Sequence, residues 1–341
     1  MPRTQSGIYE QVINWDNLVL AWKKARAGKR YTREVLQFAA GWEERLLNIH
    51  NHLVWNTWQP QPLRSFYVHE PKLRLIEAPA FSDRVVHHAL NNIVEPTFER
   101  RFIYDSYACR SGKGTHRAVH RLQGFLRQAR RMWGRVYVLQ ADISKYFPSI
   151  HHACLLHQVG KSIKDCRALD LWEKIVAWFR PKKGLPIGAL TSQLSANVNL
   201  DPFDHYVKDY LGEPFYIRYM DDWIVLGPDK QALKERLKGL EIWLHDNLGL
   251  GLNNKSRVYP AAQGVDFAGY RTWATHILPR KRNVRKARRR FKKLARMYKQ
   301  GKVDFETLRG SVASFVGYTN YCSARKTREE IMDELSQSLA V

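Results

Sequence analysis

Two adjacent aspartates, Asp221 and Asp222, interrupt an otherwise apolar stretch, "FYIRYMDDWIVLG", Phe215 to Gly227. Phe215, Tyr216, Ile217 and Tyr219 before the pair, and Trp223, Ile224, Val225 and Leu226 after it, read as two strands meeting at a tight turn. Asp favours turn backbone, so an Asp pair at a turn is common in itself. A solvated turn, however, needs no apolar approach on both sides. Carboxylates drawn toward a core are costly unless positive charge meets them. The stretch therefore asks for a cation.

A third carboxylate answers the same description. "RVYVLQADISKYFPSI" reads as an apolar strand, 136–141, that ends on Asp142. If this strand and the hairpin are neighbours in one sheet, three carboxylates share an edge and cannot all stay ionised without a cation. Magnesium suits such oxygen ligands and leaves room for waters and substrate phosphates. Two such ions about 4 Å apart activate an attacking hydroxyl and stabilise a leaving pyrophosphate. That is the arrangement of nucleotidyl transfer, in which positioning and charge neutralisation do most of the catalysis.

Composition agrees with an anionic partner. The 341 residues carry 56 Lys and Arg against 32 Asp and Glu, a formal net charge of +24. Phosphate contacts by such residues dominate nucleic-acid binding; an anionic membrane surface is the alternative. No apolar run of about 18 residues could span a bilayer, and "MPRTQSGIYE" has no signal-peptide pattern. A soluble, intracellular protein is expected. Cys109, Cys154, Cys166 and Cys322 are too scattered for a zinc knuckle and are expected as free thiols. The pairs His87-His88 and His151-His152 point their rings apart on any regular element, which disfavours a histidine metal site.

Along the chain, residues 8–55 show helical spacing. A hairpin is expected next, with strands 65–69 and 73–77 and a turn at Glu70-Pro71. A helix follows from an N-cap at Ser82 and should stop at Pro96. "YACRSGKGTH" is a glycine-bearing loop opening a basic amphipathic helix. Helices are expected around 151–180, then a glycine loop into a long helix, the Asp-Asp hairpin, a helix near 229–247 and short strands around "VDFAGYRT". From Arg280 to Lys302, "PRKRNVRKARRRFKKLARMYKQGK" carries no acid. Val284, Ala287, Phe291, Leu294 and Tyr298 give it one packing face on a cationic helix.

On these residues the chain resembles the reverse transcriptases. Tyr219-Met220-Asp221-Asp222 looks like their catalytic hairpin, and "ADISKYFPSI" like their first aspartate motif. The resemblance implies that Asp142 and Asp221 bridge two magnesium ions (manganese as a substitute) with the Ile143 carbonyl, supported by Asp222. Lys255, in "LGLNNKSRV", would protonate or neutralise the leaving pyrophosphate. Lys72 and Arg74 resemble the residues that grip the incoming triphosphate. Tyr146, Phe147 and Gln193 complete the nucleotide site, with Phe147 as a gate against a ribose 2′-hydroxyl. "GLPIGALTSQ", with Ile187, Gly188 and Ser192, resembles the loop beside the nascent base pair. "FAGY", with Phe267, Gly269 and Tyr270, resembles the primer grip. Arg285, Arg288, Arg289 and Lys292 would hold the template–primer duplex.

The fold implied is α+β, a right-hand polymerase. Residues 1–134 would form α-rich fingers with part of the palm. Residues 135–278 would form a palm with a small antiparallel sheet and a fingers insertion at about 155–190, and 279–341 a short, basic, helical thumb. No ribonuclease H or endonuclease domain is expected after the thumb. Most reverse transcriptases carry Ser-Pro where this chain has Ser192-Gln193. That departure, with the fingers stretch "EPKLRLIEAPAFSDRVVHHALNNIVEPTFERRFIYDSYACRSGKGTHRAVH", resembles the branch found in diversity-generating retroelements. The branch implies copying of a structured template-repeat RNA into adenine-mutagenised cDNA, with a small basic accessory protein that is pentameric in the family. Arg74, Ile187 and Gln193 are the residues expected at the templating pair. The rival expectations are a bacterial antiviral-defence or retron-like reverse transcriptase, told apart by flanking genes, and a non-catalytic RNA-binding scaffold, told apart by primer extension.

Overall fold

The computed structural model describes residues 7–69, 73–179 and 182–340. In chain order come α1 (Ile8–Ile13), α2 (Trp15–Ala25), α3 (Arg33–Ala39), α4 (Trp42–Val54), β1 (Arg64–Val68), β2 (Arg74–Ala78), α5 (Phe81–Glu99) and α6 (Thr115–Trp133). Then follow β3 (Tyr137–Asp142), α7 (Tyr146–Ser149), α8 (His152–Gly160), α9 (Cys166–Ala177) and α10 (Leu190–His205), the last continuing as a π-helical turn over Tyr206–Tyr210. The hairpin β4 (Tyr216–Tyr219) and β5 (Asp222–Gly227) leads into α11 (Lys230–Leu248). The chain ends with β6 (Arg257–Pro260), β7 (Val265–Phe267), β8 (Tyr270–Thr272), β9 (Ile277–Pro279), α12 (Lys281–Lys299), α13 (Phe305–Thr319) and α14 (Arg325–Ala340). Two compact units share these elements. One takes residues up to Cys109, Asp142–Pro214 and Lys238–Lys255; the other takes Arg110–Ala141, Phe215–Leu237 and the rest from Ser256.

The first unit is built around α5, against which α1, α2, α3, α9 and α10 pack. Val85, Val86, Ala89, Leu90, Val94 and Phe98 give α5 a fully buried face. The expected stop at Pro96 is corrected: Pro96 lies inside the helix, which runs on to Glu99. Proline removes one backbone bond at a cost of about 3 kcal/mol. Here Phe98, two residues further, is buried edge-on against Trp172 at 5.7 Å, so tertiary packing outweighs the break. The start also moves, since Ala80 rather than Ser82 is the N-cap. The helical stretch 8–55 is four helices. Asn14 caps α2 through its side chain, accepting from Asp16 and Asn17, and so separates it from α1.

The hairpin β1–β2 runs in register from Arg64↔Ala78 to Val68↔Arg74, one residue displaced from expectation at each strand. Its expected turn at Glu70-Pro71 lies outside the described residues. The loop before α10 docks on this hairpin. Glu77 donates its N–H to the Ile187 carbonyl at 3.0 Å, and Gly188, at φ 127°, sits where a Cβ would be 3.0 Å from Ile76 Cγ2.

In the second unit the strand order is β4-β5-β3-β6. β6, which the sequence did not signal in its four residues, pairs antiparallel with β3 from Tyr137↔Pro260 to Gln140↔Arg257. α6 covers β4 and β5, with Phe215 between Phe125 and Trp133. A three-stranded sheet, β7-β8-β9, extends the expected short strands by one. α12, α13 and α14 form a bundle over Ala287, Phe291, Ala295, Leu308, Phe315, Ile331 and Leu335. Tyr298, expected on that packing face, is 40% exposed, and Ala295 takes its place. All four cysteines are free thiols. Among the described residues, no helix is long and apolar enough to cross a membrane.

Candidate active site

Asp221 and Asp222 stand at the tip of the β4–β5 hairpin, whose closing pair is Tyr219↔Asp222. Met220 takes φ 58°, a left-handed backbone uncommon for a non-glycine residue. The turn is held from within: Arg218, fully buried, donates from Nη1 to the Met220 carbonyl at 3.0 Å. Tyr219 shares a 3.1 Å hydroxyl contact with Thr115 and lies edge-on to Phe267 at 6.3 Å. Both aspartates are half-buried. β5, which begins on Asp222, is the hydrogen-bonded neighbour of β3, which ends on Asp142.

Asp222 is oriented by its own unit. Gln140 Nε2 donates to Asp222 Oδ1 at 3.3 Å and to the Asp266 carbonyl at 2.7 Å, while its Oε1 accepts from the Tyr259 hydroxyl at 2.8 Å. Burial drives the Tyr259 hydroxyl's pKa well above its ordinary value, with Asp266 and Asp222 adding to the shift and Arg257 opposing it. It therefore stays a protonated donor.

Asp142 is oriented within the first unit. Asn253 donates its backbone N–H to the Asp142 carbonyl at 2.7 Å and its Nδ2 to Asp142 Oδ2 at 3.2 Å. Ile143, buried, forms an antiparallel bridge with Leu252. Lys255 is exposed, its backbone N–H resting on Asn253 Oδ1 at 3.2 Å. Tyr146 is in the core, donating to the Ala196 carbonyl at 2.5 Å, and Phe147 is half-buried beside it.

The loop contacts with β2 bring Ile187 and Gly188 onto the strand that Arg74 opens. Phe147 joins that loop through its carbonyl, which accepts from Leu185 at 2.9 Å. Arg74 and Gln193 are exposed and Ser192 is buried. Lys72 lies outside the described residues. In the second unit Phe267 and Tyr270 are buried, and the Gly269 carbonyl accepts from the Tyr318 hydroxyl at 2.6 Å. Arg285, Arg288, Arg289 and Lys292 are exposed on α12, and Arg288 pairs with Glu330 at 2.9 Å and Glu334 at 3.4 Å.

Gln140, Asn253, Tyr259 and Arg218 were not singled out by the sequence. Gln140 and Arg218 did leave a signal, each being a lone polar residue inside an apolar strand.

Among the described residues there is no group of three His, Cys, Asp or Glu side chains at metal-holding distance. Magnesium does not require one, since one or two carboxylates suffice when substrate phosphates and waters complete the shell. The all-oxygen donors at the strand ends fit that ion.

Residues 68–272, well over half of the chain, match the family model described as reverse transcriptase (RNA-dependent DNA polymerase). The chain belongs to the reverse transcriptase family. Protein YkfC of Escherichia coli (strain K12) is 29% identical to this reverse transcriptase over 269 residues, covering 65% of the chain and 70% of YkfC. The group II intron-encoded protein LtrA of Lactococcus lactis subsp. cremoris is 25% identical over 251 residues, 69% of the chain but 41% of LtrA. The structure of apo telomerase from Candida tropicalis aligns with 97% of the chain and 80% of its own, with a TM-score of 0.52 at 10% identity. The fold is thus the α+β right-hand polymerase fold, and the enzyme class is RNA-directed DNA polymerase.

Proposed function

We propose that this reverse transcriptase serves a diversity-generating retroelement, copying a structured template-repeat RNA into adenine-mutagenised cDNA. The observation that carries the catalytic part is the strand order, which makes the strand ending on Asp142 the neighbour of the strand beginning on Asp222. In this reading Asp142, Asp221 and the Ile143 carbonyl hold two magnesium ions and Asp222 supports them. When bound, the ions activate the primer hydroxyl and neutralise the leaving pyrophosphate. Lys72 and Arg74 grip the triphosphate, Arg by forking its oxygens and Lys as a point charge. Lys255 meets the pyrophosphate. Phe147 closes the sugar pocket against a 2′-hydroxyl, with Tyr146 behind it. Phe267, Gly269 and Tyr270 support the primer end. Arg285, Arg288, Arg289 and Lys292 on α12 hold the duplex by its phosphates, so template–primer affinity falls steeply with salt.

The branch assignment rests on Gln193 in place of proline and on the resemblance of the fingers stretch from Glu70 to His120. A small basic accessory protein, pentameric in the family, would act with the enzyme on its RNA. Sequencing cDNA made by the purified enzyme on its native RNA, with and without that protein, tests the reading. Errors concentrated opposite template adenines are expected. An error spectrum without that bias returns the chain to a defence or retron-like role.

A further inference from the structure

Two carboxamides hold two of the proposed catalytic carboxylates, each within its own unit. Gln140 uses both donors of its amide, on Asp222 Oδ1 and on the Asp266 carbonyl, and accepts from Tyr259. A main-chain carbonyl can only accept, so the –NH₂ end must face Asp266 and the orientation of the amide is fixed by chemistry. Asn253 is fixed in the same way. Its Oδ1 faces the Lys255 N–H, which can only donate, and this turns Nδ2 toward Asp142.

We propose that Gln140 and Asn253 are positioning residues that aim Asp222 and Asp142 at the divalent ions without lending them charge. The proposal rests on the polymerase reading above. A carboxylate offers about four lone-pair sites; an amide donor occupies one and leaves the negative charge for the metal. A lysine or arginine at the same place would favour the ionised carboxylate but compete with the ion for it. Tyr259 has a separate task, to lock the rotation of the Gln140 amide. Hydrogen bonds of this kind to metal-ligating groups are typically worth about 10- to 100-fold in metal affinity or activity.

The test uses Gln140→Met and Asn253→Leu, which keep the bulk and remove the donor, and Tyr259→Phe, which removes only the lock. Mn²⁺ binding is followed by electron paramagnetic resonance on the full chain, with a chain-terminated primer–template and the matching dNTP, so that no turnover occurs. The Mg²⁺ midpoint of single-nucleotide extension is measured alongside, with thermal melting as the check on folding. Mn²⁺ affinity is expected to fall about 10-fold in the first two variants and by a smaller factor in Tyr259→Phe. The Mg²⁺ midpoint should rise in step, and much of the rate should return at saturating Mg²⁺. A merely structural role would lower the rate at every Mg²⁺ concentration and leave Mn²⁺ affinity alone. Mn²⁺ affinity and Mg²⁺ midpoint unchanged in folded variants overturn the proposal; if Gln140→Met does not fold, Tyr259→Phe and Asn253→Leu decide. Failure of the wild type to extend a primer on RNA would instead sink the polymerase reading.

Discussion

The hairpins β1–β2 and β4–β5 both pair two short strands in antiparallel register, yet every residue of β1 is exposed and no residue of β4 is. The first is held at its base. Gln61 donates its N–H to Asp83 at 2.7 Å and its Nε2 to Ser82 at 3.0 Å, and Glu34 bridges Arg64 and Arg84. Beyond the base, the loop before α10 meets it through the Glu77–Ile187 bond. The second hairpin has Ile217, Trp223, Ile224 and Val225 entirely buried. In the proposed reading, packing on that scale holds Asp221 and Asp222 to the tolerance that metal chemistry demands. In the same reading, Arg74 on the exposed hairpin has a different task, meeting a solvated triphosphate that arrives by diffusion.

The sharpest way to break this comparison is Asp221→Asn. The substitution keeps shape and removes charge, so extension should fall about 10²- to 10³-fold, with the melting temperature unchanged. An active Asp221→Asn enzyme would mean that the buried hairpin is structural and that catalysis lies elsewhere. Arg74→Ala comes next. It should raise the KM for dNTP about 10-fold through the lost charge-assisted bonds, while leaving kcat and melting nearly untouched. A loss confined to kcat would place Arg74 in the transition state rather than in binding.

Gly188→Ala probes the loop contact that steadies the exposed hairpin beyond its base. The backbone there is at φ 127°, and the new methyl would meet Ile76 Cγ2 at 3.0 Å. Strain of this kind costs about 1–3 kcal/mol and should loosen the loop from β2, raising the KM for dNTP several-fold. Adding Ile76→Ala relieves the clash but not the backbone strain, so recovery should be partial. Full recovery would show that side-chain contact alone sets the geometry.

Legibility in the sequence follows the same division. The β4–β5 hairpin was readable because its strands are continuous apolar runs, the buried face of α12 because its burial is periodic, and the aspartates because apolar flanks made them anomalous. Pro96 misled, since a local rule for breaking helices cannot see that Phe98 will pack on Trp172. Gln140 and Asn253 escaped for a related reason. Their partners Tyr259 and Asp142 lie 119 and 111 residues away along the chain. A polar residue in an apolar strand signals that some partner exists, but only the folded sheet says which. The strand β6 that brings Tyr259 to Gln140 has four residues and no alternation long enough to register.

The smallest effect belongs to the base of the exposed hairpin. Asp83 is 1% exposed, and burial pushes its carboxyl up to about 6, partly opposed by the Gln61 N–H. Its folded value therefore lies above its ordinary 3.8. The folded chain binds this proton more tightly than the unfolded chain, so stability from this group is lost as pH rises between about 4 and 6 and stays lost above. The penalty is at most about 3 kcal/mol. Asp83→Asn keeps an acceptor for Gln61 and removes the charge. The variant should melt a few degrees higher than wild type at pH 7.5, with the gain vanishing near pH 4 and the KM for dNTP unchanged. A lower melting temperature at pH 7.5 would mean that the carboxylate's charge, and not only its oxygen, holds the hairpin's base, and the exposed hairpin would then share the electrostatic anchoring of the buried one.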